Sequence, residues 1–409
     1  MILFLLQYLH EILHFKIWPV FFYSSTRMIL AAITTLCMTI FLGPFFIRLL
    51  EKLKFRQTIR ENKKHYDQLA KLHSKKKDTP TMGGLFILFS MICALLLWMD
   101  LSSIFTWILL VTAIFLATVG FIDDYLKLKH KNSKGISAKL KFILQAILAI
   151  VICSYLLFPS FSFFMQEKMH FTPPVAKEQK IKKIDHKPMV IVKTLNTKNY
   201  ISRLYVPFFK KPIVVTSNIG WVLLFLFLVF VIIGSSNAVN LTDGLDGLAS
   251  GLLIMVSFVL AFFAFLSNHI ELSRYLNILY IEGSGEIAVF LFALCGAALG
   301  FLWYNGYPAQ VFLGDTGSLA LGGIIAVAAI LLRREILLAI IGGVFVMEAL
   351  SVILQVLSYR YRKKKRIFLC SPLHHHFEYK GWAETKVVLR FWIIGLLLAI
   401  IGIASLKFQ

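Results

Sequence analysis

The sequence predicts an all-α polytopic membrane protein of about ten transmembrane helices. Apolar runs near twenty residues long recur throughout the 409 residues. Each is long enough to cross roughly 30 Å of hydrocarbon as a helix. Hydrophobic residues make up 58% of the chain, more than a soluble domain can bury. The basic residues fall in blocks between alternate runs, as in a chain threaded with its positive loops inside.

Residues 1–26 are apolar but hold His10, Glu11, His14 and Lys16 and lack a small-residue cleavage site. They read as an interfacial N-terminal helix and not as a signal peptide. The integral membrane domain then occupies 27–409. Its spans are expected at 27–50, 82–99, 104–122, 140–158, 219–236, 247–266, 286–304, 317–332, 335–358 and 386–405. The first loop carries Lys52, Lys54, Arg56, Arg60, Lys63, Lys64, Lys71, Lys75, Lys76 and Lys77. The third carries Lys127, Lys129, Lys131, Lys134, Lys139 and Lys141, and the ninth carries Arg360, Arg362, Lys363, Lys364, Lys365 and Arg366. Short loops after even-numbered spans hold almost no lysine or arginine apart from Arg274 and the pair Arg333–Arg334. The odd loops are therefore expected in the cytoplasm and both termini outside. The segment 159–218 is also rich in lysine yet falls on the outer side. Long loops cross largely regardless of charge, so the topology stands. Alternation in Met189–Thr194 and Asn199–Phe209 predicts a small extracytoplasmic hairpin within that insertion.

Composition excludes several classes of function. The five cysteines show no paired spacing and four lie in apolar runs, which argues against a disulfide framework or a zinc site. The net charge of +22 sits in loops beside membrane spans. Anionic membrane lipid and phosphate substrates are its expected partners, and nucleic acid is not.

Polar chemistry concentrates in Asn237-Ala-Val-Asn240-Leu-Thr242-Asp243-Gly244-Leu245-Asp246-Gly247-Leu248, between two apolar runs. One aspartate there would serve as a helix cap, but two asparagines, a threonine and both aspartates together call for water, a cation or a ligand. Asp123-Asp124 closes span three, where the negative end of a helix repels carboxylates. The pair needs a cation or a proton, and Lys127 one turn on is a natural companion. Thr79-Pro80-Thr81-Met-Gly-Gly84 reads as a helix start, and Lys77 just before it is a candidate phosphate ligand. Asn305 ends span seven. Asp315, flanked by glycines, opens span eight, and Phe312 beside it is suited to stacking on a base. His374, His375 and His376 lie in loop nine, where hydrogen bonding to phosphate is at least as plausible as metal ligation.

Five motifs in order carry a family resemblance: residues 79–84, 121–125, 237–248, 312–319 and Ser371-Pro-Leu-His-His-His-Phe-Glu378. They resemble the phospho-N-acetylmuramoyl-pentapeptide transferases, within the polyprenyl-phosphate hexosamine-1-phosphate transferase superfamily. The triple-histidine segment resembles the muramoyl-pentapeptide branch in particular. The resemblance implies transfer of phospho-MurNAc-pentapeptide from UDP-MurNAc-pentapeptide to undecaprenyl phosphate with Mg²⁺, giving lipid I and UMP for peptidoglycan synthesis. It implies a multi-pass protein of the bacterial inner membrane with a cytoplasmic active site, and a homodimer is compatible with it. Asp315 would be the principal magnesium ligand, and Asp123 and Asp124 would hold or deprotonate the lipid phosphate. Asn237, Asn240, Asp243, Gly244, Leu245, Asp246, Asn305 and Phe312 would line the nucleotide pocket. Lys77, Thr81 and Lys127 would assist in substrate binding, and the three histidines would contact phosphate or the sugar-peptide. Segment 159–218 is longer than the family pattern and is expected to be peripheral to the reaction. The rival readings are a transferase for UDP-GlcNAc on the same fold and an ion-coupled transporter.

Overall fold

A computed structural model describes residues 19–53, 55, 79–130, 135–158, 175–184, 187–362 and 364–408. Most of the expected N-terminal interfacial helix, and Lys77, lie outside the described residues. The first membrane helices are α1 (Ser24–Lys52), α2 (Gly84–Trp98), α3 (Ile104–Lys129) and α4 (Ala138–Leu157). An extramembranous unit follows: strands β1 (Ala176–Ile184) and β2 (Lys187–Leu195), the short helix α5 (Thr197–Ile201), then β3 (Arg203–Leu204) and β4 (Ile213–Val214). Next come α6 (Asn218–Thr242), α7 (Leu248–Ser267), the short α8 (Ile270–Tyr275), β5 (Tyr280–Ile281) and α9 (Gly285–Asn305). The chain closes with α10 (Gly314–Leu331), α11 (Glu335–Ile341), α12 (Gly343–Tyr361), α13 (Leu373–Tyr379) and α14 (Glu384–Ala404).

Among the described residues, nine helices are long and apolar enough to cross a membrane, and the 15-residue α2 is a shorter tenth. The protein is a multi-pass membrane protein. α10 is buried without interruption from Thr316 to Leu331. A helix apolar on every side belongs in the middle of a bundle. It packs against α3 and α6, while α9 packs against α1 and α7. Peripheral spans instead turn apolar side chains outward, as Ile219, Val222 and Leu223 do on α6. Such residues suit lipid contact and need no protein partner.

Three expectations change. The ninth span is not one rod: the helix breaks at Gly342 between α11 and α12. Beyond the break α12 exposes Val346, Met347, Leu350, Ile353 and Leu354 along one side. The hairpin forms from β1 and β2, paired from Ala176 with Leu195 to Ile184 with Lys187. Asn199–Phe209 is not its second arm, because α5 and the two-residue β3 occupy that stretch. Asn196 starts α5 by accepting a hydrogen bond from the Asn199 amide at 3.0 Å, and local capping of this kind outcompetes a weak alternation. Finally, Thr79–Gly83 does not begin span two. It is a strand-like segment whose Thr81 amide donates to Phe55 O at 2.8 Å, and whose Pro80 O accepts from Phe312 N at 2.9 Å.

The insertion is tied into the bundle at the end away from the polar motifs. β5, from the connection between α7 and α9, extends the hairpin through Ala176–Ile281. Tyr200 is fully buried, and its hydroxyl donates to Leu331 O. Arg333, also fully buried, donates to Arg203 O at 2.9 Å and pairs with Glu335. The Arg334 guanidinium lies over the Tyr205 and Phe263 rings, at 5.4 and 4.9 Å from their centroids.

Candidate active site

The N-terminus of α10 organises the site. A helix start leaves backbone N–H groups without partners and carries partial positive charge. Here the cap comes from another helix. Asp124, near the end of α3, accepts from the amides of Asp315 (3.3 Å) and Thr316 (3.0 Å) and from the Thr316 hydroxyl (2.8 Å). That explains how a carboxylate is tolerated in the last turns of α3: it is held by the opposite pole of α10. The crossing is close enough to require glycine. A Cβ on Gly120 would lie 2.3 Å from Asp315 O, and one on Gly84 would lie 2.2 Å from Gly317 Cα. Gly314 adopts φ +74°, a left-handed turn that aims Asp315 into the cluster.

Around Asp315 the charges interlock. Its Oδ2 accepts from Lys127 Nζ and Lys141 Nζ, each at 2.8 Å. Its Oδ1 accepts from Asn240 Nδ2 at 2.7 Å, and that same amide reaches Ser318 Oγ at 2.8 Å. Asp123 Oδ2 lies 2.6 Å from Lys127 Nζ and 3.1 Å from Lys141 Nζ, while its Oδ1 accepts from Ile136 N at 2.8 Å. Oxygens of Asp123, Asp124 and Asp315 all fall within 4.8 Å of one another. Three clustered carboxylates of this kind are a hard-oxygen donor set that suits a divalent cation. Two ammonium groups balance much of their charge here.

The 237–248 stretch crosses the same end of the bundle. Asn237 donates to Gln145 Oε1 at 2.7 Å, and Asn240 reaches the aspartate cluster as above. Burial, together with the negative charges of Asp315 and Asp124, pushes the Asp243 carboxyl up to about 8. Gly244 is exposed, and a Cβ there would meet His374 Nε2 at 2.4 Å. Leu245 is buried. Asp246 is buried too: its Oδ2 accepts from Ala309 N at 3.0 Å, and its own amide donates to Glu384 at 2.8 Å. Asn305 is just as enclosed. It accepts from Ser250 Oγ and Gly247 N and donates to Val311 O at 2.9 Å. Asp246 and Asn305 thus shape the loop that carries half-buried Phe312, whose carbonyl accepts from Gly83 N at 2.8 Å. Thr81 Oγ1 lies beside Gly314, where a Cβ would meet it at 3.0 Å.

The three histidines do not converge on one point. His374 is fully buried, with Nδ1 3.2 Å from Glu348 Oε2. His375 Nδ1 lies 2.7 Å from Glu378 Oε2. His376 Nδ1 accepts from Leu369 N at 3.1 Å, and burial with nearby Lys380 holds that imidazole below its usual range. Sequence reasoning passed over Lys141, Thr316, Ser318, Gln145, Glu348 and Glu384. Lys141 offered a signal, being the last lysine of a basic loop, at the start of span four. The buried Glu348 within an apolar span and the half-buried Glu384 at the start of another offered a second.

Apolar helices that gather carboxylates and lysines at one end make an integral-membrane protein with a site for charged groups, and residues 106–333 match the family model described as Glycosyl transferase family 4, which makes it a transferase. Residues 76–88 match the phospho-N-acetylmuramoyl-pentapeptide-transferase signature 1. The chain is 60% identical to the phospho-N-acetylmuramoyl-pentapeptide-transferase of Protochlamydia amoebophila, over the whole of both proteins. It is 44% identical to the enzymes of that name from Desulfotalea psychrophila, over 95% of each chain, and Vesicomyosocius okutanii, over 94% of each. The chain belongs to the phospho-N-acetylmuramoyl-pentapeptide-transferase family.

Proposed function

We propose that the protein transfers phospho-MurNAc-pentapeptide from UDP-MurNAc-pentapeptide to undecaprenyl phosphate, on the cytoplasmic face of the bacterial inner membrane. The carrying observation is the convergence of Asp123, Asp124 and Asp315 with Lys127 and Lys141 at one end of an apolar bundle. An oxygen of the lipid phosphate forms a bond to the sugar-bearing phosphorus. The pyrophosphate P–O bond breaks and UMP leaves with its electron pair. One phosphoanhydride replaces another, so no ATP is required. Such a transfer depends mainly on alignment and charge neutralisation.

Lys127 and Lys141 are placed to draw the acceptor phosphate in and to offset its charge against the donor diphosphate. Asp123, ion-paired with both lysines, orients them. Asp124 keeps the α10 N-terminus fixed, and Asn240 holds one oxygen of Asp315. Asp243 and Gly244 face the donor, and Phe312 offers a ring for the uracil. Asp315, with Asp123 and Asp124, would hold Mg²⁺, which when bound supplies charge neutralisation at the diphosphate. The polyprenyl tail stays in lipid, worth roughly 0.8 kcal/mol per CH₂ kept from water.

The test is UMP release by purified protein in detergent, with UDP-MurNAc-pentapeptide or UDP-GlcNAc as donor, with and without Mg²⁺. Turnover with the muramoyl donor alone supports the reading. Turnover with UDP-GlcNAc alone overturns it, and none with either donor sinks the transferase reading.

A further inference from the structure

We propose that Glu348 is a positioning residue for the donor half of the reaction. It suspends the triple-histidine helix from the membrane and holds His374 against the 243–247 loop. This rests on the transferase reading above.

Glu348, Gln355 and Ser358 lie on one face of α12, spaced by two turns and then one. The returning chain is fastened to that face in reverse order. Ser358 Oγ donates to Lys365 O at 2.9 Å. Gln355 Oε1 accepts from Ile367 N and Phe368 N, both at 3.0 Å, and its Nε2 donates to Phe368 O at 3.1 Å. Last, Glu348 accepts from Leu373 N at 2.7 Å and His374 N at 3.1 Å, capping α13 from outside.

That last fastening differs in kind. Glu348 is fully buried on a helix whose other side is apolar, where an isolated carboxylate is costly. Capping takes one oxygen for each amide, Oε2 for Leu373 N and Oε1 for His374 N, so a glutamine keeps one of the two bonds and loses the charge. The negative charge has a further object: Oε2 lies 3.2 Å from His374 Nδ1. On the other side of the ring stands Gly244, so tightly packed that a Cβ would come within 2.4 Å of Nε2. His374 is thus clamped between a membrane-helix carboxylate and the loop assigned to the donor. Neither ring nitrogen makes an aligned hydrogen bond among the described residues, so the carboxylate acts through its charge, favouring the proton on Nδ1 and leaving Nε2 as the acceptor toward the 243–247 loop.

The experiment compares wild type, Glu348→Gln, Glu348→Ala, His374→Gln and the Glu348→Gln/His374→Gln double variant. It reads melting, amide exchange over 371–379, and KM and kcat for each substrate. Glu348→Gln is expected to fold, to melt only slightly below wild type and, through the cap bond it keeps, to hold most of the 371–379 protection. Its kcat/KM for the UDP-linked donor should fall about tenfold, some 1.4 kcal/mol. Its KM for undecaprenyl phosphate should change less than twofold. The double variant should be no worse than His374→Gln, since one residue acts through the other. Glu348→Ala should in addition lose protection over 371–379.

A folded Glu348→Gln with unchanged donor kinetics overturns the proposal. So do equal losses for both substrates, additive losses in the double variant, or a Glu348→Gln protein that does not fold. Absence of wild-type turnover would count instead against the transferase reading itself.

Discussion

Asp315 divides its two oxygens between partners of different kinds: two ammonium groups on one, a neutral amide on the other. That arrangement makes it replaceable in shape but not in charge. Asp315→Asn is expected to insert and melt like wild type, yet keep under about a tenth of the turnover at saturating Mg²⁺. An activity nearer wild type would reduce Asp315 to a helix-end residue. Lys141→Met tests the other partner. It leaves Asp123 and Asp315 to share Lys127, so turnover should fall by roughly tenfold or more. Unchanged turnover in a steady-state assay would show that Lys127 suffices. Phe312→Ala should weaken the UDP-linked donor by on the order of 1–3 kcal/mol and spare the lipid acceptor. Isothermal titration with each substrate separates stacking from simple packing, which would affect both or neither.

Helix ends, more than helix bodies, build this site. α3 delivers its aspartates where its own dipole disfavours them, and the start of α10 supplies the compensating positive pole. The exchange works only if the helices meet at backbone distance. Gly84, Gly120 and Gly317 permit that approach. Gly317→Ala puts a Cβ 2.3 Å from Leu313 Cδ1 and 2.8 Å from Gly84 Cα. It should cost about 1–3 kcal/mol of stability and displace Asp315 as α10 shifts. Thermal melting in detergent together with turnover checks this. A stable, fully active Gly317→Ala would mean the crossing has slack.

Across the whole molecule, the two ends of the bundle do different work. The described candidate catalytic groups lie at one end, and the described part of the insertion lies at the other. That insertion nevertheless helps close the bundle, because Tyr200, Arg203 and Tyr205 cover Leu331, Arg333 and Arg334. Its parts are therefore not equally dispensable. Excising 179–193 and closing β1 to β2 with a short turn should leave turnover and melting nearly unchanged. Removing 197–205 should destabilise the protein by roughly 3–5 kcal/mol, since Arg333 and Glu335 lose their cover while still buried. Comparing the two deletions by melting and UMP release settles the division. Equal tolerance would show that the buried arginines find other partners.

Span number, the order of the motifs and the grouping of polar residues were legible in the sequence, because each follows from local composition. A run such as Leu248–Ser267 has no alternative to a membrane helix. Asp123, Asp124, Asp243 and Asp315 stood out because carboxylates beside apolar runs demand partners. Which partner each one takes was not legible. That Asp124 caps α10, that Lys141 joins Lys127 on Asp315, and that Glu348 holds His374 are contacts across 192, 174 and 26 residues of chain. The break at Gly342 and the split of the insertion into hairpin, short helix and paired stubs depended likewise on packing. Local composition selects helix or loop, since backbone and solvent act on neighbouring residues. Only the assembled bundle determines which charges meet, because Coulomb and hydrogen-bond energies depend on distance in space and not along the chain.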